Sequence, residues 1–414
     1  MQSSSDRVLT IVRESRQAAV KLAQISGAER RLGILAIAKA MEDSFDEILE
    51  SNTIDLEMSR EMAISEPIAD WLKLTPERLE MTVKILKRLA KSAVPTRSAA
   101  NLSYQLEASQ THYQSIPLGT IALVYEALPE LAVIAAGMCL KTGNSLITRG
   151  CSSASHSNQT IAKIVHQALA STAIPSGSIA AISAEWGISI PELVTQDRYL
   201  NLVIPYGRPS LVQQVAENAT ATILKTTMGN CYLYWSQSVG LDLTRQIIVD
   251  SHIGQPDAIN AIEKVLIDRE IKPAILQSLF NSLQQQGFRL RGDEILSEQF
   301  ADFLSPMKPE EWRRAYLTKT IAFRQIESLS KAILWINRYS SGHANSIVTE
   351  SYKEGQQFVR EVDSAIVYIN TSPRFSRSPE GGGDVSLGIS NQKGYSRGLI
   401  GVETLMTVKQ IVQG

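Results

Sequence analysis

An excess of charge of either sign is the first thing missing: 41 lysines and arginines stand against 42 aspartates and glutamates in 414 residues, a formal net charge of −1. Without a basic surplus nothing draws in a polyanion or an anionic lipid surface, so nucleic acid and membrane are excluded as principal partners. A small-molecule ligand and other protein subunits remain. Cysteine is scarce. Cys139, Cys151 and Cys231 are odd in number, far apart and in no metal-ligand spacing. The five histidines (His112, His156, His166, His252 and His343) form no helical pair with a carboxylate. A reduced, cytoplasmic, metal-free protein is expected. Long apolar runs are absent too. The most apolar stretch, 124–140, is broken by Glu126, Pro129, Glu130 and Gly137, whereas a spanning helix needs about 20 mostly apolar residues in a row. The polar start, with Arg13, Glu14, Arg16 and Lys21 close behind, predicts no secretory signal.

What is present is the balance of a folded protein, 44% hydrophobic and 20% charged, in a chain long enough for two or three domains. Leu9, Val12, Ala19, Leu22 and Ala23, then Leu32, Leu35, Ala36, Ala38 and Met41, recur at helical spacing and predict two amphipathic helices. Thr75-Pro76-Glu77 opens another, over 74–91. Over 101–115 the pattern turns to alternation, with Tyr104, Leu106 and Ala108 against Ser103, Gln105 and Glu107, and Tyr113 and Gln114 after a polar turn, a hairpin signature. From Gly119 strands and helices alternate. Strands are expected at 119–125, 145–148, 180–183 and 200–204, and helices at 130–141, 155–170 and 190–196. That rhythm implies an α/β fold with a parallel sheet, ligands lying past the carboxyl ends of its strands, in the loops after Tyr125, Arg149 and Pro205. A second alternating region runs past Leu233, with helices at 244–250, 272–286 and 326–338, another ending at Val362, and strands at 261–267, 346–348 and 365–370. A Gly-rich loop, 380–384, and a thin tail with one strand follow. Hairpin and tail cannot bury their own faces, so they are expected to pack on each other or on a second subunit.

Several blocks resemble γ-glutamyl phosphate reductase, the glutamate-5-semialdehyde dehydrogenase of the aldehyde dehydrogenase superfamily. They are Ile116–Ala127 (IPLGTIALVYEA), Cys139–Asn144 (CLKTGN) with Arg149-Gly150, Glu361–Asn370 with Arg374-Phe375, and Gln392-Lys393 leading to Arg397-Gly398 and Gly401–Thr404. The likeness covers essentially the whole chain in order. It implies a Rossmann-type cofactor domain (1–100 and 117–235), an α/β catalytic domain (236–384) and a β oligomerisation arm (101–116 and 385–414). It also implies NADP as cofactor, no metal, and a homo-oligomer, dimer or tetramer. In that family a cysteine thiolate displaces phosphate from γ-glutamyl phosphate, and the thioester is reduced to the semialdehyde for proline biosynthesis.

The sequence departs from the family where the chemistry lies. The family's Pro-Ser-Thr-Cys-Asn-like loop matches Gln255–Asn260, so Ile259 stands where the nucleophile belongs, beside Asn260, with Glu263 in the family's Glu place. An isoleucine has no lone pair with which to attack a carbonyl. Around the cofactor the family's Arg-Gly-Gly-Lys-Glu reads Arg149-Gly150-Cys151-Ser152-Ser153, and a ribose-binding Glu becomes Ser386; Tyr206-Gly207-Arg208 follows a strand of the same domain. Loss of a cation opposite a phosphate removes a contact worth roughly 1.5–3 kcal/mol. In the expected substrate pocket (Tyr125, Glu126, Leu128, Glu130 and Arg374), Leu128 replaces an Arg, and Glu130 would repel an acidic substrate. Cys139 and Cys231 match family cysteines and read as packing residues. Cys151 would put a thiol on the cofactor side. His343 and Glu263 read as structural hydrogen-bonding groups, the latter serving backbone donors, and Arg208 as a solvated loop arginine. Together the changes imply an inactive or repurposed member. The alternative is a working NADP-dependent reductase that uses no covalent intermediate.

Overall fold

The computed structural model describes residues 4–93, 110–254, 258–379, 382–391 and 396–413. The chain divides into two compact units, 1–226 with 377–388 and 399–414, and 227–376 with 389–398.

The first unit begins with five helices, α1 (Ser4–Leu22), α2 (Gly27–Asp43), α3 (Phe45–Glu61), α4 (Glu66–Leu72) and α5 (Pro76–Lys91). The expected start signal of α5 holds: Thr75 caps it, its Oγ1 accepting from the Arg78 amide, with Pro76 at the first helical position. Next come β1 (Gln110–Pro117), β2 (Thr120–Tyr125), α6 (Pro129–Thr142), β3 (Ser145–Gly150), α7 (Ser155–Ala170), β4 (Ile179–Ile182), α8 (Ile190–Val194), β5 (Leu202–Tyr206) and α9 (Pro209–Asn218). Four of the strands form a parallel sheet in the order β4-β3-β2-β5. Every residue of β2 and β5 is buried, the continuous apolar run of strands covered on both faces. Val8 and Val12 of α1 join Ala122, Val124, Ile147 and Val203 in the core on one side. All of α6 is buried, which is why its sequence is apolar all round. Gly137 lets α5 approach it, because a Cβ there would come within 2.6 Å of Leu86 Cδ2.

The second unit holds β6 (Cys231–Trp235), α10 (Leu241–Ser251), β7 (Ile262–Asp268), α11 (Pro273–Gln285), β8 (Arg289–Gly292), α12 (Glu294–Gln299), β9 (Ser305–Pro306), β10 (Thr320–Ile326), α13 (Leu329–Tyr339), β11 (Ala344–Val348), α14 (Tyr352–Glu361) and β12 (Ile366–Ile369). Its strands form a seven-stranded parallel sheet, β12-β11-β6-β7-β10-β8-β9. Leu276, Phe280 and Leu283 of α11 pack on one face; Ile333 and Ile336 of α13 and Phe358 of α14 pack on the other. Strand β6, read from the sequence as the end of the first domain, pairs with β7 and β11 inside this sheet. The helix expected over 326–338 starts later. Ile326 ends β10, and Ser328 caps α13 through its hydroxyl.

Beyond these lie β13 (Ser386–Ser390), β14 (Gly398–Gly401) and β15 (Met406–Gln413). β13 pairs with β14, and β1 runs antiparallel to β15 from Gln110 opposite Gln413 to Pro117 opposite Met406. The second limb of the expected hairpin thus meets the tail. The first limb of the hairpin, 101–109, lies outside the described residues.

Candidate functional site

In the first unit the ladder sets Tyr125, at the end of β2, opposite Gly150 of β3 and Tyr206 of β5. Since β3 lies to one side of β2 and β5 to the other, the chain reverses its winding at β2, where open α/β sheets keep their ligand crevice. Five expected cofactor residues, Arg149, Gly150, Ser152, Tyr206 and Gly207, sit on or next to this edge. Ser386 is linked to it: its amide donates to the Arg377 carbonyl at 3.0 Å, and the Arg377 guanidinium donates to the Tyr206 hydroxyl at 2.6 Å. Its own hydroxyl is buried without a partner among the described residues. Gly388 must be glycine, because a Cβ would approach the Tyr206 ring to 2.6 Å.

The charges at this edge are matched from within. Arg208 stands at the head of α9, and its backbone amide donates to Glu126 Oε2 at 3.0 Å. Its guanidinium clasps the same carboxylate, Nη2 to Oε1 at 2.6 Å and Nε to both oxygens at 3.1 Å. The solvated loop arginine expected from sequence is therefore a paired one. At the head of α7, the His156 amide donates to Asp55 Oδ1 at 3.0 Å and the Ser157 amide to Asp55 Oδ2 at 2.8 Å. Arg149 spends its guanidinium on the carbonyls of Gly150 and Ile188. Helix N-termini past parallel strands attract phosphates through free amides and a positive dipole end. Here two such ends face the protein's own carboxylates, and Ser152 brings no cation.

The expected substrate residues are divided. Tyr125 is buried and donates to Asn158 Oδ1 at 2.8 Å. After Glu126 the loop turns through Ala127 in the left-handed region (φ 53°), and the Ala127 amide points at Cys151 Sγ, 3.3 Å away. Cys151 also lies 2.9 Å from the Ser153 hydroxyl, which makes it a tie between two loops of this edge. Leu128 is buried. Glu130, expected to repel an acidic substrate, has its charge paired within the protein. It is 7% exposed, and its carboxylate accepts from Arg78 Nε at 3.2 Å and from Nη2. Arg374 belongs to the second unit, where it lies 3.5 Å from Asp250.

In the second unit Ile259 is 1% exposed and sits in the turn before β7. Its carbonyl accepts the Gly229 amide at 2.8 Å and lies 3.2 Å from His343 Nε2. A carbonyl only accepts, so Nε2 carries the proton and Nδ1 faces the Ser341 hydroxyl, 2.8 Å away. Cys231 Sγ lies 3.4 Å from His343 Nε2. This thiol and imidazole are an inert pair: burial pushes the thiol well above its usual range and pulls the imidazole down to about 4, leaving both neutral. Burial raises the Cys139 thiol as well. Asn260 donates from its side chain to the Pro373 carbonyl at 2.8 Å and to Tyr368 at 3.2 Å. Glu263 is fully buried and accepts three backbone amides, Asn230 at 2.7 Å, Tyr316 at 2.9 Å and Leu317 at 2.7 Å. Gln255, Pro256 and Asp257 lie outside the described residues.

The neutral histidines give the fold a pH dependence. His343 and His252, the latter 2.9 Å from the Ile262 carbonyl, are both pulled to about 4 by burial. The unfolded chain takes up these protons near pH 6.5, so stability is complete above that value and falls as pH drops from 6.5 to 4. Glu263, raised by burial, works in the opposite sense. Melting temperatures of the native chain and His343→Asn, followed from pH 7 to 4.5, should show the steeper acid loss in the native chain; parallel curves would refute the assignment.

Asp55, Asn52 and Asn158 were not anticipated. A signal for the first two existed: the buried face of α3 reads Ile48, Asn52, Asp55, Ser59, a polar stripe at core spacing. Asn52 holds the Leu72 carbonyl and the Leu74 amide, as Asp55 holds α7. Among the described residues no group of three or more His, Cys, Asp or Glu side chains could hold a metal ion, and no helix is long and apolar enough to cross a membrane.

Comparison with known proteins accords with this architecture. Residues 1–288 match the model of the aldehyde dehydrogenase family. The chain is 50% identical over 415 aligned residues to γ-glutamyl phosphate reductase 2 of Synechocystis sp., covering 100% of this chain and 99% of that one. It is 35% identical to the γ-glutamyl phosphate reductase of Gloeobacter violaceus, with the same coverage. Among solved structures, the γ-glutamyl phosphate reductase of Thermotoga maritima superposes with a TM-score of 0.88 at 31% identity, over 98% of both chains. An aldehyde dehydrogenase fold implies a nicotinamide cofactor, but the groups facing the crevice of the first unit fit its pyrophosphate poorly, since Glu126 already holds Arg208. The chain belongs to the aldehyde dehydrogenase family and, within it, to the γ-glutamyl phosphate reductases.

Proposed function

We propose that this chain is a γ-glutamyl phosphate reductase relative that has lost the thioester chemistry, an inactive or repurposed member kept for its fold. The observation that carries the reading is Ile259, a buried hydrocarbon whose carbonyl is pinned by Gly229 and His343. The one thiol beside it, Cys231, is itself buried and neutral. With no thiolate there, acyl transfer from γ-glutamyl phosphate has no covalent route. The β1–β15 ribbon, too thin to be stable alone, supports assembly as a homo-oligomer, dimer or tetramer, in the cytoplasm. The test is NADP-dependent oxidation of glutamate 5-semialdehyde by the native chain and by Ile259→Cys, together with a fluorescence titration of NADPH. Turnover by the native chain at the rate of a cysteine-bearing relative would overturn the reading.

NADP is the cofactor this kinship suggests, and weak binding follows from the crevice charges. Glu126 competes with a phosphate for Arg208 and for the amide at the head of α9. Glu126→Gln keeps the shape and removes the negative charge. It is expected to tighten NADPH binding roughly tenfold, as a charge-assisted contact becomes available. Unchanged or weaker binding by fluorescence would show that the pair does not guard the crevice.

A further inference from the structure

The second unit contains a cavity that the Ile259 loop does not use. Strand β8 carries Arg289 and Arg291 two residues apart, hence on one face, and its register with β10 sets Thr320 beside Arg289. With Thr318, Phe288 and Phe303 these residues line a half-open pocket of about 510 Å³, and among the described residues no carboxylate lines it. That volume suits a metabolite and exceeds what a bare inorganic ion would fill.

The charges and donors in this cavity can be counted. Arg291 is neutralised by Glu311, which also accepts the Tyr316 hydroxyl at 3.2 Å. That pair holds the Arg291 guanidinium in place. Arg289 has no side-chain partner among the described residues, so the cavity keeps a net positive charge, and Lys319 Nζ adds another near the Phe288 ring, 5.7 Å from its centre. Thr318 and Thr320 lie 3.0 Å apart through their hydroxyls; one donates to the other, leaving the second proton for a guest.

We propose that this cavity binds a small phosphate monoester with an aromatic or apolar body. Guanidinium forks and a hydroxyl offer more donors than the two oxygens of a carboxylate can use, and three phosphate oxygens match them. Phe288 and Phe303 supply the apolar wall for the rest of the molecule. The proposal stands whether or not the thioester chemistry is lost.

Calorimetric titration of the full chain tests it with three probes: phenyl phosphate, inorganic phosphate and benzoate. Phenyl phosphate is expected to bind saturably, and inorganic phosphate and benzoate each more weakly. Arg289→Gln should weaken phenyl phosphate roughly tenfold or more. Because Arg289 is exposed and makes no side-chain bond among the described residues, that variant should melt with the native chain. Thr318→Val should weaken binding severalfold as a second, independent probe. Absence of saturable binding, binding unchanged in Arg289→Gln, or benzoate binding as tightly as phenyl phosphate would each overturn the proposal.

Discussion

Given glutamate 5-semialdehyde, phosphate and NADP, the native chain is expected to turn over at least about 10⁴-fold more slowly than a cysteine-bearing relative under the same conditions. Deleting a covalent nucleophile costs on the order of 10⁴–10⁶ in rate when the rest of a site is intact. Here the rest is altered as well. Leu128 and Ser152 bring no cation to the loops where substrate and cofactor phosphates are expected, and Glu126 occupies Arg208. Ile259→Cys is therefore expected to recover only part of the loss. The thiol it introduces would start in a site 1% exposed, and burial raises a thiol's pKa, as it does for Cys231 close by. Adding Glu126→Gln to Ile259→Cys should raise the rate further at low NADP and less at saturating NADP, because that change acts on binding. If the native chain turns over as fast as the relative, a route without the thioester exists and the proposed loss of function is wrong.

The sequence makes the first sheet legible because β2, β3 and β5 are buried almost throughout, and burial on both faces leaves near-continuous apolar runs. It hides β8 and β10. Arg289, Arg291 and Arg324 interrupt the apolar pattern there, and β10 passes into α13 across only Glu327 and Ser328, so strand and helix read as one segment. The same holds for the site. Ile259 and the backbone-serving role of Glu263 are local features of one segment matched to a family pattern. The clasp of Arg208 by Glu126 joins residues 82 positions apart, and Asp55 reaches α7 across 101. No spacing rule spans such distances. Only the polar stripe on α3 hinted that something across the interface had to answer it.

Glu263→Gln is expected to cost the second unit about 1–3 kcal/mol, more than its one-atom change suggests. The carboxylate accepts amides from three separate places, Asn230 before β6 and Tyr316 and Leu317 before β10, so it fastens two loops to the start of β7. Two of these residues, Asn230 and Leu317, hold left-handed backbone, an arrangement that needs fixed partners. Glutamine keeps one acceptor oxygen and turns an NH₂ toward donors, leaving at least one buried amide unanswered at about 1–3 kcal/mol. It also strands Lys264, which is fully buried, lies over the Tyr316 ring at 3.4 Å and donates to the Arg314 carbonyl at 3.2 Å. Burial already pulls that lysine to about 8, and Glu263, ahead of Glu311, is the largest charge opposing the pull. In the single variant the lysine loses that charge, whereas replacing both side chains removes the demand for it. Glu263→Gln with Lys264→Met should therefore be more stable than Glu263→Gln alone, a coupling visible as a recovered urea midpoint at unchanged slope. A loss below about 1 kcal/mol in the single variant, or a double variant weaker than the single, would mean that the carboxylate is not the fastening its three hydrogen bonds make it.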